Sequence, residues 1–168
     1  MDRIPILKLR DLLLVTIQVD MYALVAPQIQ TRGLTYESVP CDPSIVVRTD
    51  GEKVQQILLN LLSNAVKFTD SGGHVRLECV ARGSVAAIRV VDTGLGIPAG
   101  KLEAIFEPFV QVDQNFTRTG QGTGLGLSIS RDLARAMGGD IVVESMREEA
   151  SAARRRSAEC APRMSPTR

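Results

Sequence analysis

The sequence predicts an α/β (α+β) fold in which a mixed β-sheet is covered by helices. Two segments and one ordering carry the prediction. Behind Asp50, the residues Val54, Ile57, Leu58, Leu61, Leu62, Ala65 and Val66 keep the i, i+3, i+4, i+7 spacing of an amphipathic helix. Val75 to Ala81 and Val85 to Val91 read as two strands joined by a turn at Arg82-Gly83-Ser84. Along the chain the order is helix, strands, helix, hairpin, loop, helix, strand, which suits such a sheet.

The elements follow in turn. Residues 9–31 place Leu12, Leu13, Val15, Ile17, Val19, Leu24, Val25 and Ile29 in mixed spacing before Gly33, so a helix is expected, opposed only by Pro27 near its end. A short strand is expected over Leu34 to Val39, and the turn from Pro40 to Pro43 leads to a second over Ile45 to Arg48. Asp50 supplies an N-cap for the long amphipathic helix, which the Asp70-Ser71-Gly72-Gly73 turn ends. From Asp92 to Gly126 the chain is rich in Gly, Thr and Gln, with a short helical piece from Ala99 to Ile105 and a mobile loop from Val110 to Thr123. Leu127 to Met137 reads as a helix stopped by Gly138-Gly139, and Ile141 to Glu144 as a strand. Residues 146–168 contain no Ile, Leu, Val, Phe, Tyr or Gly, so they have almost nothing to bury. Residues 1–145 are therefore expected to form the domain, and 146–168 a disordered Arg/Ala/Ser-rich tail.

At 168 residues the chain fits one domain. Lys plus Arg at 20 against Asp plus Glu at 19 leave nothing in the overall balance that favours nucleic acid or an anionic membrane, so any anion must be bound locally. No apolar run approaches the roughly 18 residues of a membrane span, and no signal-peptide pattern opens the chain. Cys41, Cys79 and Cys160 are odd in number and widely spaced, so neither a disulfide frame nor a zinc site is expected, and a reducing cytoplasm suits them.

The chemistry concentrates in four places. On the helix from Asp50, Gln56, Asn60, Asn64 and Lys67 share a narrow sector between apolar directions. Asn is a mediocre helix former, and a merely solvated face would carry Glu, Lys or Gln. An Asn carbonyl can ligate Mg²⁺ and Lys67 can meet a phosphate, although a water-bonded polar stripe accounts for the same residues. Next, Asp92-Thr93-Gly94-Leu95-Gly96-Ile97-Pro98 sets a carboxylate at the end of a β-type run before two glycines. Taken alone it reads rather as a turn closed by an Asx-type hydrogen bond. Thr-Gly-Leu-Gly recurs within Gly120-Gln121-Gly122-Thr123-Gly124-Leu125-Gly126-Leu127, where it opens a helix. Exposed N–H groups at a helix N-terminus, unobstructed by side chains, make a phosphate cradle. Between the two lies Ile105-Phe106-Glu107-Pro108-Phe109, whose plain reading is a small hydrophobic anchor beside a mobile lid.

Three other readings fail on context. Gly94-x-Gly96-x-x-Ala99 with Asp113 meets the dinucleotide fingerprint superficially, but Pro98 interrupts the turn and Asp113 closes no second parallel strand. Asp92-Thr93-Gly94 matches the triplet of aspartic proteases, whose almost entirely β fold conflicts with the helices around Asn60 and Leu133. A Walker A loop is absent, since no Gly-Lys-Ser or Gly-Lys-Thr occurs.

In order, Gln56 to Thr69, Asp92 to Pro98, Ile105 to Phe109 and Gly122 to Leu127 closely resemble the N, G1, F and G2 boxes of the sensor histidine kinase catalytic domain, within the gyrase, Hsp90, histidine kinase and MutL superfamily. The resemblance runs from about Leu9 to Ser145. It implies a Bergerat-type two-layer sandwich, with helices on one face of the sheet and ATP between the helical layer and a flexible lid. By that resemblance Asn60 and Asn64 would hold Mg²⁺ and phosphates, and Lys67 would contact phosphate. Asp92 would accept the adenine amino group, Gly94 and Gly96 would give the base room, and Phe68 would flank the nucleotide. Arg118 would reach the terminal phosphate, and Gly122, Thr123, Gly124, Leu125, Gly126 and Leu127 would line the triphosphate. The residue matching Asn60 is a glutamate that activates water in the family's ATPases and typically asparagine in its kinases, which favours transfer to histidine over hydrolysis. A histidine-containing dimerisation domain and a response regulator are the implied partners.

The family's acceptor histidine lies in a helical hairpin upstream, whereas the sole histidine here, His74, stands beside a Gly-Gly turn and is expected at the surface. After Ser145 the family continues into a final apolar strand, and this sequence turns instead into Met146-Arg147-Glu148-Glu149-Ala150. That strand is expected to be missing, as a shifted reading frame near Ser145 would leave it. Three functions therefore compete: transfer of the ATP γ-phosphate to a histidine on another segment, a truncated nucleotide-binding or interaction module without turnover, and a serine kinase or ATPase of the same superfamily.

Overall fold

The computed structural model describes residues 14–43, 45, 47, 49–82, 85–111 and 122–145, together with the backbone of 156–161. Leu14–Thr31 forms helix α1, Thr35–Val39 strand β1, Gly51–Phe68 helix α2, His74–Arg82 strand β2 and Val85–Asp92 strand β3. Two 3₁₀ turns, Ala99–Lys101 and Ala104–Phe106, precede helix α3 at Gly126–Ala136, strand β4 at Asp140–Ser145 and strand β5 at Arg156–Ala161.

Local chemistry explains helix α2. Asp50 keeps an extended backbone and its carboxylate accepts from the N–H groups of Glu52 and Lys53, at 3.1 and 3.3 Å. A hydrogen bond from the Lys53 side chain, with these backbone donors, holds the Asp50 carboxyl below its ordinary value. All seven apolar residues expected to face inward, from Val54 to Val66, are buried. In α1, Met21, Val25 and Ile29 recur every fourth residue and are buried, and Pro27 is accommodated inside the helix. The part of the expected helix before Leu14 lies outside the described residues.

The five strands are ordered β1-β2-β3-β5-β4. β1 runs parallel to β2 and the remaining pairs are antiparallel, which makes the sheet mixed as expected. Val75, Leu77, Ile88 and Val90 point to one face, where they join α1 and α2 side chains in the core. The other face carries charge. Arg76 pairs with Glu78 at 2.9 Å and with Glu37 at 3.7 Å, and Arg89 lies 3.9 Å from Glu78. Arg76 and Glu37 are exposed, so their pair contributes little stability, but it marks a face that meets water.

Three expectations are corrected. Ile45 and Val47 belong to no strand. Residues 46 and 48 of the expected strand lie outside the described residues, and Val47 is a buried anchor. Cys41 and Cys79, expected as free thiols, form a disulfide with Cα atoms 5.0 Å apart. The parallel register that sets Val39 beside Glu78 brings Cys41, just past β1, next to Cys79 in β2. Finally, the last strand is present. Residues 156–161, placed by the sequence in a disordered tail, form β5 between β3 and β4. The gap there exposes the N–H and C=O groups of two strands, and a segment free of Pro and Gly can satisfy them through its backbone alone.

Candidate functional site

Helix α2 fills the core with one face and builds a cleft with another. Asn60, Ser63, Asn64 and Lys67 stand at i, i+3, i+4 and i+7, so they project to one side. With Phe68 they form one wall of a cleft of ≈ 410 Å³. Facing them are Gly122, Thr123, Gly124, Gly126 and Leu127, with Ile97, Ile105, Val110 and Gln111 completing the enclosure.

The two walls are tied at Asn60. Its Nδ2 donates to Ser130 Oγ at 2.9 Å, and Ser130 on α3 is buried. The amide oxygen then lies against Gly126, where any Cβ would collide with it. Glycine at the start of α3 is thus what lets the helix N-terminus approach α2 this closely. No side chain caps α3, and Ser128 Oγ instead donates back to the Leu125 carbonyl at 2.9 Å. The first-turn N–H groups have no acceptor within the helix, so the N-terminus facing the cleft suits an anion. Lys67 adds positive charge: its Nζ lies 5.2 Å from the Phe68 ring centre and 3.2 Å from the Cβ position that Gly122 leaves empty.

Asp92 stands behind this wall. It is buried, and its Oδ1 accepts from the Gly94 N–H at 2.8 Å, the Asx-type turn hydrogen bond. Gly94 lies against the Phe68 carbonyl with no room for a Cβ, and Leu95 N–H donates to that carbonyl at 3.2 Å. The turn is therefore docked on the C-terminal end of α2. Gly96 has φ 70°, and Ile97 N–H donates to Ser145 Oγ at 2.7 Å, which aims Ile97 into the cleft wall.

Nine of the residues singled out from sequence line the cleft: Asn60, Asn64, Lys67, Phe68, Gly122, Thr123, Gly124, Gly126 and Leu127. Asp92, Gly94, Gly96 and Leu125 adjoin it without lining it, and Arg118 lies outside the described residues. Gln56 is exposed and takes no part. Sequence reasoning missed Ser63, although its i+3 spacing from Asn60 was a signal. Ile97 and Ile105, quoted within two motifs but given no site role, also line the cleft, as do Val110 and Gln111, the last donating from Nε2 to the Gly122 carbonyl at 2.7 Å. His74 is exposed at the start of β2 and does not line the cleft. A shallower depression of ≈ 490 Å³, lined by Arg32, Asp70 and their neighbours at the ends of α1 and α2, gathers none of these groups. Among the described residues no cluster of His, Cys, Asp and Glu could hold a metal by itself, and no helix is long and apolar enough to cross a membrane.

Comparison with known proteins agrees with this geometry. An uncharacterized sensor-like histidine kinase of Rhizobium meliloti is 39% identical over 127 residues, covering 76% of this chain and 24% of that protein. The sensor histidine kinase RcsC of Escherichia coli (strain K12) is 48% identical over 106 residues, 62% of this chain and 11% of its own length. The chain thus spans about a quarter or less of these curated relatives. Among solved structures, full-length ShkA in complex with AMPPNP superposes with a TM-score of 0.73 at 31% identity, covering 98% of this chain and 33% of ShkA. The catalytic domain of histidine kinase ThkA, at 24% identity, shares the fold with a TM-score of 0.72 over 90% of this chain and 96% of its own. The family model described as histidine kinase-, DNA gyrase B- and HSP90-like ATPase matches residues 49–157, the span from the α2 cap through the cleft and into β5, and the chain belongs to that family, in its sensor histidine kinase branch.

Proposed function

We propose that this domain binds Mg·ATP in the cleft and positions the γ-phosphate for transfer to a histidine carried on a separate dimerisation segment, from which a response regulator takes it in two-component signalling. One observation carries the reading: the amide-and-lysine stripe of α2 and the uncapped N-terminus of α3 face each other across one cleft, tied by the Asn60–Ser130 hydrogen bond. The α3 N–H groups and Lys67 hold phosphate oxygens, while Phe68 flanks the nucleoside. Asp92, in the turn against Phe68, accepts the adenine amino group, and Gly94 and Gly96 keep that end open. Thr123, Gly124 and Leu125 continue the phosphate-binding turn into α3.

Mg²⁺ fits the donor set. Asn60 and Asn64 offer neutral carbonyl oxygens, and a hard cation bound there draws its negative charge from the phosphates. When bound it neutralises phosphate charge, and the protein's own contribution is orientation. Asparagine at position 60 offers no base to activate water, which supports transfer rather than hydrolysis. The relatives' names support a phosphorelay, and ThkA has been solved in complex with the response regulator TrrA. The need for ATP supports a cytoplasmic location.

A second reading, nucleotide binding without turnover, draws on His74 being the sole histidine and lying off the cleft. Incubating the chain with γ-labelled ATP, Mg²⁺ and a dimerisation hairpin from a histidine kinase separates the two. Acid-labile label on the hairpin is expected. Binding without label on the hairpin would leave only the second reading, and acid-stable label or steady phosphate release would overturn both.

A further inference from the structure

Arg131 lies on α3 one residue beyond Ser130, outside the cleft lining, and it joins three elements. Its Nε donates to Asp140 Oδ1 at 3.0 Å, at the head of β4. Its Nη1 donates to Glu103 Oε2 at 3.3 Å, between the two 3₁₀ turns. Its Cζ sits 4.3 Å from the centre of the Phe106 ring. Only 18% of the side chain is exposed.

The neighbours in sequence give the arrangement its meaning. Phe106 rests on Arg131, while the adjacent Ile105 is buried and forms part of the cleft wall. Ser130, preceding Arg131, receives the hydrogen bond from Asn60 on the opposite wall. One guanidinium therefore touches the residue beside Ile105 in the wall and follows directly on the residue that ties α3 to Asn60. Stability alone does not account for it, because Glu103 is 89% and Asp140 41% exposed, and ion pairs with such partners contribute little. A planar fork engaging two carboxylates while offering its face to a ring is geometry that Lys cannot reproduce.

We propose that Arg131 is a positioning residue for the nucleotide site, fixing Phe106 so that Ile105 and the Asn60–Ser130 pair hold the two walls at the separation that nucleotide requires. The inference rests on the proposed ATP site. It acts through the wall and not by contact with substrate, so a conservative change uncouples the cleft without unfolding the domain.

The test is a titration of the whole chain with a fluorescent ATP analogue and Mg²⁺, alongside an unfolding midpoint measured without nucleotide. Arg131→Lys and Phe106→Leu are each expected to raise Kd about 5-fold, and the double variant no more than the larger single, since both break one contact. Arg135→Lys, which also changes a residue bonded to Asp140, is expected to leave Kd unchanged. An unchanged Kd in Arg131→Lys, additive losses in the double variant, or a loss of affinity that only follows a lowered midpoint would each overturn the proposal. Absence of binding by the unaltered chain would overturn the ATP reading as well, and is recognised before any variant is made.

Discussion

Reducing the Cys41–Cys79 disulfide tests how much of this fold depends on a single cross-link. The bond closes a segment with a sequence separation of 38. In the chain-entropy account, closing a loop of that length removes about 13 cal/mol/K from the unfolded chain, which is about 4 kcal/mol at room temperature. Domains of this size are stable by only about 5–15 kcal/mol, so the loss is a large share. Spread over 168 residues at about 2.1 cal/mol/K each, it lowers the unfolding temperature by about 11 °C. Calorimetry with and without a phosphine reductant reads the difference on one sequence, free of any change in side-chain volume. Thiol titration in denaturant provides the check, because the sequence holds three cysteines and two of them are paired. Coincident melting curves in the two states, or three reactive thiols in the unreduced chain, would refute the reasoning.

Gly126→Ala forces a Cβ into the Asn60 amide, an overpacking penalty of about 1–3 kcal/mol, and nucleotide affinity measured by titration is expected to fall at least ~10-fold as α3 moves off α2. Asp92→Asn is expected to weaken ATP binding strongly while the domain still melts cooperatively, since the amide oxygen can still accept from Gly94; unchanged affinity removes Asp92 from adenine recognition. At Asp140, burial raises the carboxyl, but hydrogen bonds from Arg131, the Ile141 N–H and Arg135 outweigh it and hold the value below the ordinary 3.8. A depressed carboxyl contributes stability that is fully present above 3.8 and is lost as pH falls through the folded-state value, so Asp140→Asn flattens that part of a urea-midpoint profile against pH.

What the sequence disclosed and what it concealed divide along physical lines. The face of α2 was legible because burial there follows helical period, and the same period pointed to Asn60, Asn64 and Lys67. The glycine-rich turn before α3 was legible as part of the cleft because so many glycines in a short run strip side chains from a helix N-terminus. Contacts between distant positions were not. Nothing near Asn60 announces Ser130, and nothing near Cys41 announces Cys79, because both pairings depend on how whole elements lie against each other. Apolar wall residues such as Ile97 and Ile105 look like ordinary core, and the groups that fix them or their neighbours, Ser145 and Arg131, come from distant positions in the sequence. β5 was hidden for a different reason. Its place is secured by backbone pairing, which leaves no mark in composition.

The position of β5 also sets an order of events during folding. β1, β2 and β3 can pair as they emerge, since each lies next to its predecessor in the sheet. β4 cannot join them, because its sheet neighbour is β5, and Asp92 at the end of β3 must wait for Arg156. Until residues 156–161 arrive, β4 can only rest against α3, and the rear of the nucleotide cleft remains unsupported through Ser145. Closure of the sheet is thus a long-range step of high contact order that comes after every residue of the cleft has been made. During that interval the open edge of β3 is a template for any other extended chain, which makes the half-built domain, rather than the finished one, the species most exposed to misassociation.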